Sequence, residues 1–301
     1  MTYPAKIILF GEYGIILNSM ALAVPFRRFS GQLRFPDVLS GDRSQKEIES
    51  NAVLIKLNQF FKNNEVRFQF LNVDYFENDI KKGLYFDSSI PEGSGLGSSG
   101  ALTAAIYHKY ATPEAQNEFK LTRTNLALIE SCFHGLSSGI DPLISFLKKP
   151  LLIENDTSYN ATIDLSSFLD NYTLFLINSH SMGRTDILVS SFMKQYNRTD
   201  FKEKIDIEYI PLINETIKAV LNSDFVAFEK LMVRYSQFQL TYFSAMIPQE
   251  MTNYFKHGIY SGDFYLKLCG SGGGGFTLAI ARDRQKAESY FILNHLDYTV
   301  V

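Results

Sequence analysis

The chain has 301 residues, of which 46% are hydrophobic and 20% are charged, and its formal net charge is -3. This is the composition of a globular protein with material for one large or two medium domains. The small negative charge indicates neither a nucleic-acid partner nor an anionic membrane, and two cysteines are too few for a disulfide framework. The N-terminus lacks the apolar core of a signal peptide and no window is apolar enough to span a bilayer, so we expect a cytoplasmic protein.

The predicted elements of the first half mix strands and helices. Strands are predicted at residues 6–10, 31–35, 66–71 and 84–86, with a short apolar element at 21–24. Helices are predicted at residues 45–61, 101–110, 121–133 and 141–147.

The second half continues in the same irregular way. Strands are predicted at residues 151–153, 161–165, 172–178, 265–268 and 275–281. Helices are predicted at residues 185–195, 205–221, 225–244 and 284–296. The lack of a regular strand–helix–strand repeat favours an α+β fold over a doubly wound sheet. A polar stretch near residues 155–170 suggests a boundary between an N-terminal domain, residues 1–160, and a C-terminal domain, residues 161–301.

The most informative stretch is residues 93–100, which contains four glycines and three serines and leads directly into the helix predicted at 101–110. Glycine lets the backbone approach a ligand closely and adopt positive φ. The amides at a helix N-terminus and the helix dipole attract anions. The stretch therefore predicts a phosphate-binding loop that feeds a helix.

Several other glycine-rich loops fit this stretch less well. A Walker-type loop needs a lysine after its last glycine, and no lysine lies between Gly83 and His108. The dinucleotide pattern G-x-G-x-x-G occurs at 95–100 and 270–275, but without the strand–helix context and acidic residue that a Rossmann loop requires. The motifs His-Arg-Asp and Asp-Phe-Gly of protein kinases are absent. A surface turn without a ligand remains a weaker alternative.

Two further segments carry charged side chains in suggestive places. Lys6 begins an apolar strand and Glu12 follows its end, although strand-end charges are most often simply solvated. Glu130 and His134 are four residues apart and share a helix face, while Asp141 opens the next helix, where capping is the simpler interpretation.

A second glycine cluster occupies residues 269–275, where six of seven residues are Gly or Ser. Predicted strands lie on both sides of it, which is unusual for a flexible linker. We therefore expect a close approach to a ligand or to another backbone.

Taken in chain order, these segments resemble the three signature motifs of the GHMP kinases, the superfamily of galactokinase, homoserine kinase, mevalonate kinase and phosphomevalonate kinase. The resemblance runs from Pro4 to Phe276 and is closest to the mevalonate kinases. Lys6 with Gly11-Glu12 resembles their opening motif, and the segment from Glu130 to Asp141 resembles their Glu…His-Gly-x-x-Ser-Gly-x-Asp segment.

This resemblance implies a two-domain α+β fold, with an N-terminal domain like domain 2 of ribosomal protein S5 and a ferredoxin-like C-terminal domain. It implies ATP-dependent transfer of the γ-phosphoryl group to a small-molecule alcohol, with mevalonate as the expected acceptor, in isoprenoid biosynthesis. The alternatives are another alcohol (phosphomevalonate, a sugar or homoserine) and a catalytically silent sensor of ATP or a metabolite. Whether the chain forms a homodimer is left open.

The resemblance also implies roles for individual residues. Asp141 would act as the base or orient the acceptor hydroxyl, with Lys6 beside it. Ser99 and Glu130 would bind Mg²⁺, and Glu12, Tyr13 and Thr185 would contact or position the acceptor. The loop that would hold the triphosphate of ATP consists of Gly93, Ser94, Gly95, Leu96, Gly97, Ser98 and Ser99.

Two departures from the mevalonate kinase pattern stand out. Tyr13 occupies a position where these enzymes usually carry histidine, and for this reason the acceptor alcohol stays open. Gly100 stands where alanine is common, which weakens the start of the helix by up to ~1 kcal/mol.

Overall fold

The computed structural model describes residues 1–37, 43–117, 119–135, 137–154, 159–181 and 185–301. They form two compact units. Unit 1 consists of Met1–Lys6, Pro25–Pro91 and Gly97–Lys148, and unit 2 of Ile7–Val24, Glu92–Leu96 and Lys149–Val301. Each unit is assembled from several chain segments, whereas the two predicted domains, residues 1–160 and 161–301, are continuous. The units therefore do not test the predicted domain boundary, which stays a prediction.

Unit 1 is built mainly from helices. Its elements include parts of strands β1 (Tyr3–Phe10) and β2 (Ala21–Arg34), strand β3 (Tyr85–Ser88), and helices α1 (Gln45–Asn63), α2 (Val73–Lys81), α3 (Ser98–Tyr110), α4 (Pro113–Asn117), α5 (Phe119–His134) and α6 (Ile140–Leu147). β2 pairs antiparallel with β3, Gly31 opposite Ser88 and Arg34 opposite Tyr85. Helix α1 starts at a capping box, in which the Ser44 hydroxyl accepts from the Glu47 amide and the Glu47 carboxylate accepts from the Ser44 amide.

The core of unit 1 is aromatic. Phe61 at the end of α1 packs against Phe68 and Phe76, with ring centroids 4.7 and 6.0 Å away, and Phe76 packs in turn against Tyr110 of α3. All four side chains are fully buried. This burial fastens α1 and α2 to α3, the helix that begins at the glycine-rich loop.

The strand predicted at residues 66–71 is wrong. A short 3₁₀ turn, Glu65–Arg67, follows α1, and Leu71 forms an isolated bridge with Ala111. Phe68, one of the alternating apolar residues, is buried in the helical core. Asn72 then caps helix α2, and the sequence pattern did not predict this helix. Tertiary packing of one aromatic side chain overrides a short period-2 pattern.

Unit 2 combines helices with an antiparallel sheet. Its further elements are β4 (Leu151–Ile153), β5 (Tyr159–Asn160), α7 (Ser166–Asn171), β6 (Thr173–Asn178), α8 (Thr185–Tyr196), α9 (Thr199–Lys204), α10 (Ile210–Leu221), α11 (Phe225–Tyr242), α12 (Thr252–Ser261), β7 (Tyr265–Leu268), β8 (Phe276–Ala281), α13 (Arg284–Leu293) and β9 (Tyr298–Val300). The main sheet has the order β7-β8-β6-β9. The start of β2 pairs with β4, Ala21 opposite Ile153.

The strand predicted at residues 161–165 is also wrong. The Asn160 side chain accepts hydrogen bonds from the Thr162 amide and hydroxyl, and Asp164 accepts from the Ser166 amide. Such side-chain turns compete with strand pairing, and here they lead into α7. Within the described ranges, none of the helices combines the length and apolar character needed to cross a bilayer.

Candidate active site

A lysine–aspartate pair, Lys6 with Asp141, lies in unit 1. The Nζ atom of Lys6, in β1, is 3.0 Å from Oδ2 of Asp141, in the first turn of α6. The lysine side chain is 5% exposed and the aspartate side chain 32% exposed. The carboxylate of Asp141 is therefore accessible to an incoming molecule, while the ammonium of Lys6 is enclosed by the protein.

Local sequence explains why Asp141 meets Lys6. Gly139 precedes α6 with a φ of 72°, and a Cβ there would lie 2.5 Å from the carbonyl oxygen of Arg123. Only glycine lets the chain turn this closely against α5. On the next turn of α6, Ser145 donates a 2.8 Å hydrogen bond to the Pro4 carbonyl, which fixes the helix against the strand that carries Lys6.

The glycine-rich loop ends beside this pair. Gly93, Gly95 and Gly97 have φ values of 66°, 77° and 79°, which side chains disfavour. A Cβ on Gly97 would lie 2.9 Å from Cγ of Lys6 and 3.6 Å from Oδ2 of Asp141. Helix α3 starts at the next residue without a side-chain cap, so its first amides and its dipole are directed to the loop.

Gly100 has a packing role that the sequence did not reveal. A Cβ at this position would lie 2.9 Å from the carbonyl carbon of Asp141 and 2.9 Å from the nitrogen of Pro142. The backbones of α3 and α6 therefore touch. The helix-weakening glycine is explained by this contact, because alanine would press directly on the residue that faces Lys6.

Glu130 lies buried next to the pair. Its carboxylate accepts hydrogen bonds from the hydroxyl of Ser137 and, at 3.5 Å, from the hydroxyl of Ser99. The pKa of Glu130 is raised to about 7, chiefly by burial and also by the negative charge of Asp141, while Ser137, Lys6 and Ser99 act against the rise. The structure thus brings together four of the predicted polar residues, namely Lys6, Ser99, Glu130 and Asp141.

Ser99 and Glu130 suit Mg²⁺ chemically. Both supply hard oxygen atoms, and a buried carboxylate whose pKa is raised is stabilised by a nearby cation. Across the described part of the chain, no group of three or more His, Cys, Asp or Glu residues is arranged to hold a metal. Mg²⁺ often binds through one or two protein oxygens, with phosphates and water completing its shell, so this donor set fits.

Glu12, in unit 2, occupies a very different environment. Its side chain is 0% exposed and forms an ion pair with Lys267, whose side chain is also 0% exposed. The Tyr235 hydroxyl donates to the second carboxylate oxygen at 3.0 Å. Burial raises the pKa of Glu12, and Lys267 and Tyr235 counteract the rise. The sequence pattern missed Lys267, although a lysine in the apolar strand Tyr-Leu-Lys-Leu was a usable signal.

Tyr13 is also buried in unit 2. Its hydroxyl donates a 2.6 Å hydrogen bond to the carbonyl of Ser271 in the second glycine cluster. Its ring lies against Phe192 and Phe243, with centroid distances of 4.6 and 5.3 Å. The side chain that stands in place of the usual histidine therefore connects the end of β1 to the second glycine cluster.

The second glycine cluster approaches other backbone segments closely. A Cβ on Gly275 would lie 2.9 Å from Cα of Ser94, and one on Gly272 would lie 2.4 Å from the carbonyl oxygen of Met246. The expectation of close approach to a ligand or a backbone is thus met by backbone contacts. In particular, this cluster fixes the conformation of the loop segment around Ser94.

The side chain of Thr185, predicted to contact or position the acceptor alcohol, is not described by the structure. The backbone of Thr185 begins α8. The side chain of His134 lies outside the described part of the structure as well.

The arrangement in unit 1, a helix start beside a lysine–aspartate pair and a buried glutamate, is suited to phosphoryl transfer from a nucleotide to an alcohol. A family model for the GHMP kinases N terminal domain matches residues 52–149, and one for the GHMP kinases C terminal matches residues 216–290. The chain belongs to the GHMP kinase family, and its α+β, two-domain fold is confirmed.

Individual relatives agree with this assignment. A mevalonate kinase of Pyrococcus furiosus is 25% identical, with 94% of this chain and 89% of the relative covered. The crystal structure of Methanococcus jannaschii mevalonate kinase has a TM-score of 0.66 at 20% identity, with 100% and 96% of the two chains covered. Lactococcus lactis galactokinase in complex with galactose has a TM-score of 0.63 at 14% identity, with 99% and 92% covered. The fold is thus shared by kinases of different alcohols.

Proposed function

We propose that the chain is a kinase that transfers the γ-phosphoryl group of ATP to mevalonate and forms 5-phosphomevalonate. GHMP kinases use ATP as a substrate, and membership of the family supports a kinase role. The observation that carries the proposal is the Lys6–Asp141 pair, which lies beside the glycine-rich loop and the start of α3. The mevalonate kinase relatives support the choice of acceptor.

In the proposed reaction, Asp141 accepts a hydrogen bond from the acceptor hydroxyl and takes its proton as the new bond forms. The hydroxyl oxygen attacks the γ-phosphorus, and the bond to the bridging oxygen breaks, so ADP leaves with that electron pair. Lys6 offsets the negative charge that gathers around the transferred group. Since alkyl alcohols are very weak acids, positioning and charge neutralisation contribute more than early proton removal.

The nucleotide is held, in this proposal, by the loop from Gly93 to Ser99 and the first amides of α3. Ser99 and Glu130 hold Mg²⁺, which neutralises phosphate charge when bound. Glu130 must be ionised to serve as a ligand. The hydroxyl groups of Ser99 and Ser137 and the ammonium of Lys6 favour that charged state.

Acceptor recognition is assigned to Glu12, Tyr13 and Thr185. Glu12 acts by positioning, because its carboxylate is enclosed by Lys267 and Tyr235. Tyr13 also acts by positioning, because its ring is buried and its hydroxyl donates to the Ser271 carbonyl. We expect the protein to act in the cytoplasm on a small-molecule alcohol.

The test is ADP release by the purified protein with Mg-ATP, screened against mevalonate, phosphomevalonate, galactose and homoserine. Turnover confined to mevalonate is the expected result. The Asp141→Asn variant, purified in the same way, is the matched blank that removes any signal from a contaminating kinase.

Two other outcomes would distinguish a kinase of another alcohol from a sensor without kinase activity. Turnover of another alcohol keeps the chemistry and overturns the acceptor. Binding of ATP without turnover of any of the four alcohols would overturn the kinase assignment for these substrates and favour a sensor of ATP or a metabolite.

A further inference from the structure

Strand β7 contains a lysine where a buried strand normally has an apolar residue. All four residues of Tyr265–Leu268 are buried, and the Lys267 side chain is 0% exposed. Lysine is almost never fully buried without a charged partner. The proposed chemistry does not use this residue, so its retention in the core calls for another reason.

The partner of Lys267 is Glu12, and the surrounding polar groups complete the pair. Besides the carboxylate of Glu12, the Lys267 ammonium contacts the carbonyls of Leu268 at 2.6 Å and Ile8 at 3.4 Å. Two charges in a dry interior are tolerated only when they neutralise each other and their hydrogen bonds are satisfied. Removing one partner leaves the other as an uncompensated buried charge, which is strongly unfavourable.

A chain of hydrogen bonds extends from this pair to helix α11 and to Tyr209, the residue before α10. The Tyr209 hydroxyl donates to the Glu12 carbonyl at 3.2 Å and lies 3.3 Å from the Tyr235 hydroxyl. Gln239 donates to Tyr209 at 3.1 Å and accepts from the Leu268 amide at 2.8 Å. Tyr209 closes a π-helical turn, Ile205–Tyr209, a rare helix form that occurs frequently at functional sites.

This network surrounds a strained turn at Tyr13. The residue has φ 59° and ψ -41°, and the Gly14 amide donates a 2.6 Å hydrogen bond to the Glu12 carbonyl. Together these features define a γ-turn with positive φ, a rare and strained conformation for any residue with a side chain. Such strain persists only where the surroundings hold it.

The constraints act on both sides of the turn. Glu12 is held by Lys267 through its side chain and by Tyr209 through its carbonyl, and Tyr13 is held by Ser271. Of these, the Lys267–Glu12 contact is the one between opposite charges, and both of its partners are fully enclosed.

We propose that Lys267 is a positioning residue for the acceptor: its ammonium neutralises the buried Glu12 carboxylate and thereby holds the strained turn at Tyr13. This inference rests on the proposed function, which assigns Glu12 and Tyr13 to the acceptor. It predicts that loss of the charge balance affects acceptor binding more than nucleotide binding.

The experiment compares three variants of the full chain. Lys267→Met removes the cation and keeps the length of the side chain, while the double variant Glu12→Gln/Lys267→Met removes both charges. Lys109→Met is the matched control, since Lys109 also pairs, at 2.8 Å, with a buried carboxylate, that of Asp79 in unit 1.

Two readouts are measured for each variant: the steady-state constants with mevalonate and ATP, and hydrogen exchange of peptides that cover residues 11–19. Lys267→Met is expected to raise KM for mevalonate about tenfold, with KM for ATP changed less than about twofold, and to speed exchange at residues 11–19 about tenfold. The double variant is expected to bring exchange at residues 11–19 most of the way back, because no buried charge remains unpaired. Its KM for mevalonate stays raised, because Glu12 is assigned to the acceptor. Lys109→Met changes neither readout.

The proposal is overturned if Lys267→Met changes neither readout, if exchange rises equally throughout the chain, or if the double variant recovers nothing. If Lys267→Met does not fold, folding of the double variant supports the proposal and its failure to fold overturns it. Should the wild type turn over no alcohol, the proposed function fails, and exchange at residues 11–19 alone decides whether Lys267 holds the turn.

Discussion

Two lysine–carboxylate pairs in this chain have the same chemistry and different surroundings. Lys6 and Asp141 lie 3.0 Å apart with the aspartate side chain 32% exposed, whereas Glu12 and Lys267 are both 0% exposed. An acid that remains accessible can accept a proton from an incoming alcohol. An enclosed pair can only fix the conformation of the chain around it. In the proposed function, burial more than residue type therefore separates the reacting group, Asp141, from the positioning group, Glu12.

The largest effect is expected at the accessible pair. Asp141→Asn keeps the shape of the side chain and removes its charge, so it can neither take a proton nor balance Lys6. We expect kcat to fall about a thousandfold while the affinity for ATP stays within about threefold. Steady-state kinetics and calorimetric titration with nucleotide measure the two quantities. A kcat near the wild-type value in Asp141→Asn would contradict the assignment of Asp141 as the reacting carboxylate.

The second prediction concerns Glu130, a buried carboxylate without a lysine partner of its own comparable to Lys267. Its pKa in the folded, metal-free protein is about 7, against 4.5 for the ordinary group. Between these values the folded state holds a proton that the unfolded state releases, so the free energy of unfolding falls as pH rises through this window. The loss attributable to Glu130 is about 3 kcal/mol over the whole window.

Urea unfolding of the metal-free protein at about pH 5 and about pH 8 measures this effect. Glu130→Gln, which cannot ionise, should show a smaller decline in stability than the wild type. An equal decline in both proteins would show that Glu130 titrates near its ordinary pKa, and would contradict the environment described here.

The smallest effect is expected at Gly100. Alanine favours a helix by ~1 kcal/mol over glycine, but its Cβ would lie 2.9 Å from the backbone of Asp141 and Pro142. The displaced aspartate should lower kcat by about tenfold to a hundredfold. Gly262→Ala is the control: a Cβ there meets nothing within 4 Å, so kcat should stay unaltered, although the φ of 73° means that this change lowers stability. Gly100→Ala with full activity would show that the Lys6–Asp141 geometry tolerates movement.

Part of the arrangement in unit 1 could be predicted from the sequence, and the reason is physical. Glu130 and Asp141 lie on two successive helices that the apolar spacing predicts, and the glycine-rich loop predicts a close backbone approach. Capping was the simpler interpretation of Asp141 from its position alone, and its proposed role rests on the family resemblance. Lys6 is far from them in sequence, and only the family resemblance placed it beside Asp141.

The residues of unit 2 were less accessible to sequence reasoning. The alternation of a strand predicts which residues share a face of the sheet, but not which distant residue each side chain contacts. The sequence alone therefore does not show that Lys267 meets the carboxylate of Glu12, 255 residues away. The strain at Tyr13 is equally hidden, since its positive φ is imposed by tertiary contacts and not by a glycine. For the same reason the apolar alternation around Phe68 predicts a strand, whereas packing against Phe61 places this segment in a helical core.

The most direct test of the distinction between the two pairs is a rapid-quench single-turnover experiment on wild type, Asp141→Asn and Lys267→Met across a range of mevalonate concentrations. The predicted result is that Asp141→Asn stays about a thousandfold slow at saturating mevalonate, while Lys267→Met approaches the wild-type rate and differs in the concentration needed to reach it. If Lys267→Met is as slow as Asp141→Asn at saturation, or if Asp141→Asn reacts at the wild-type rate, the division of roles between the accessible and the enclosed pair is contradicted.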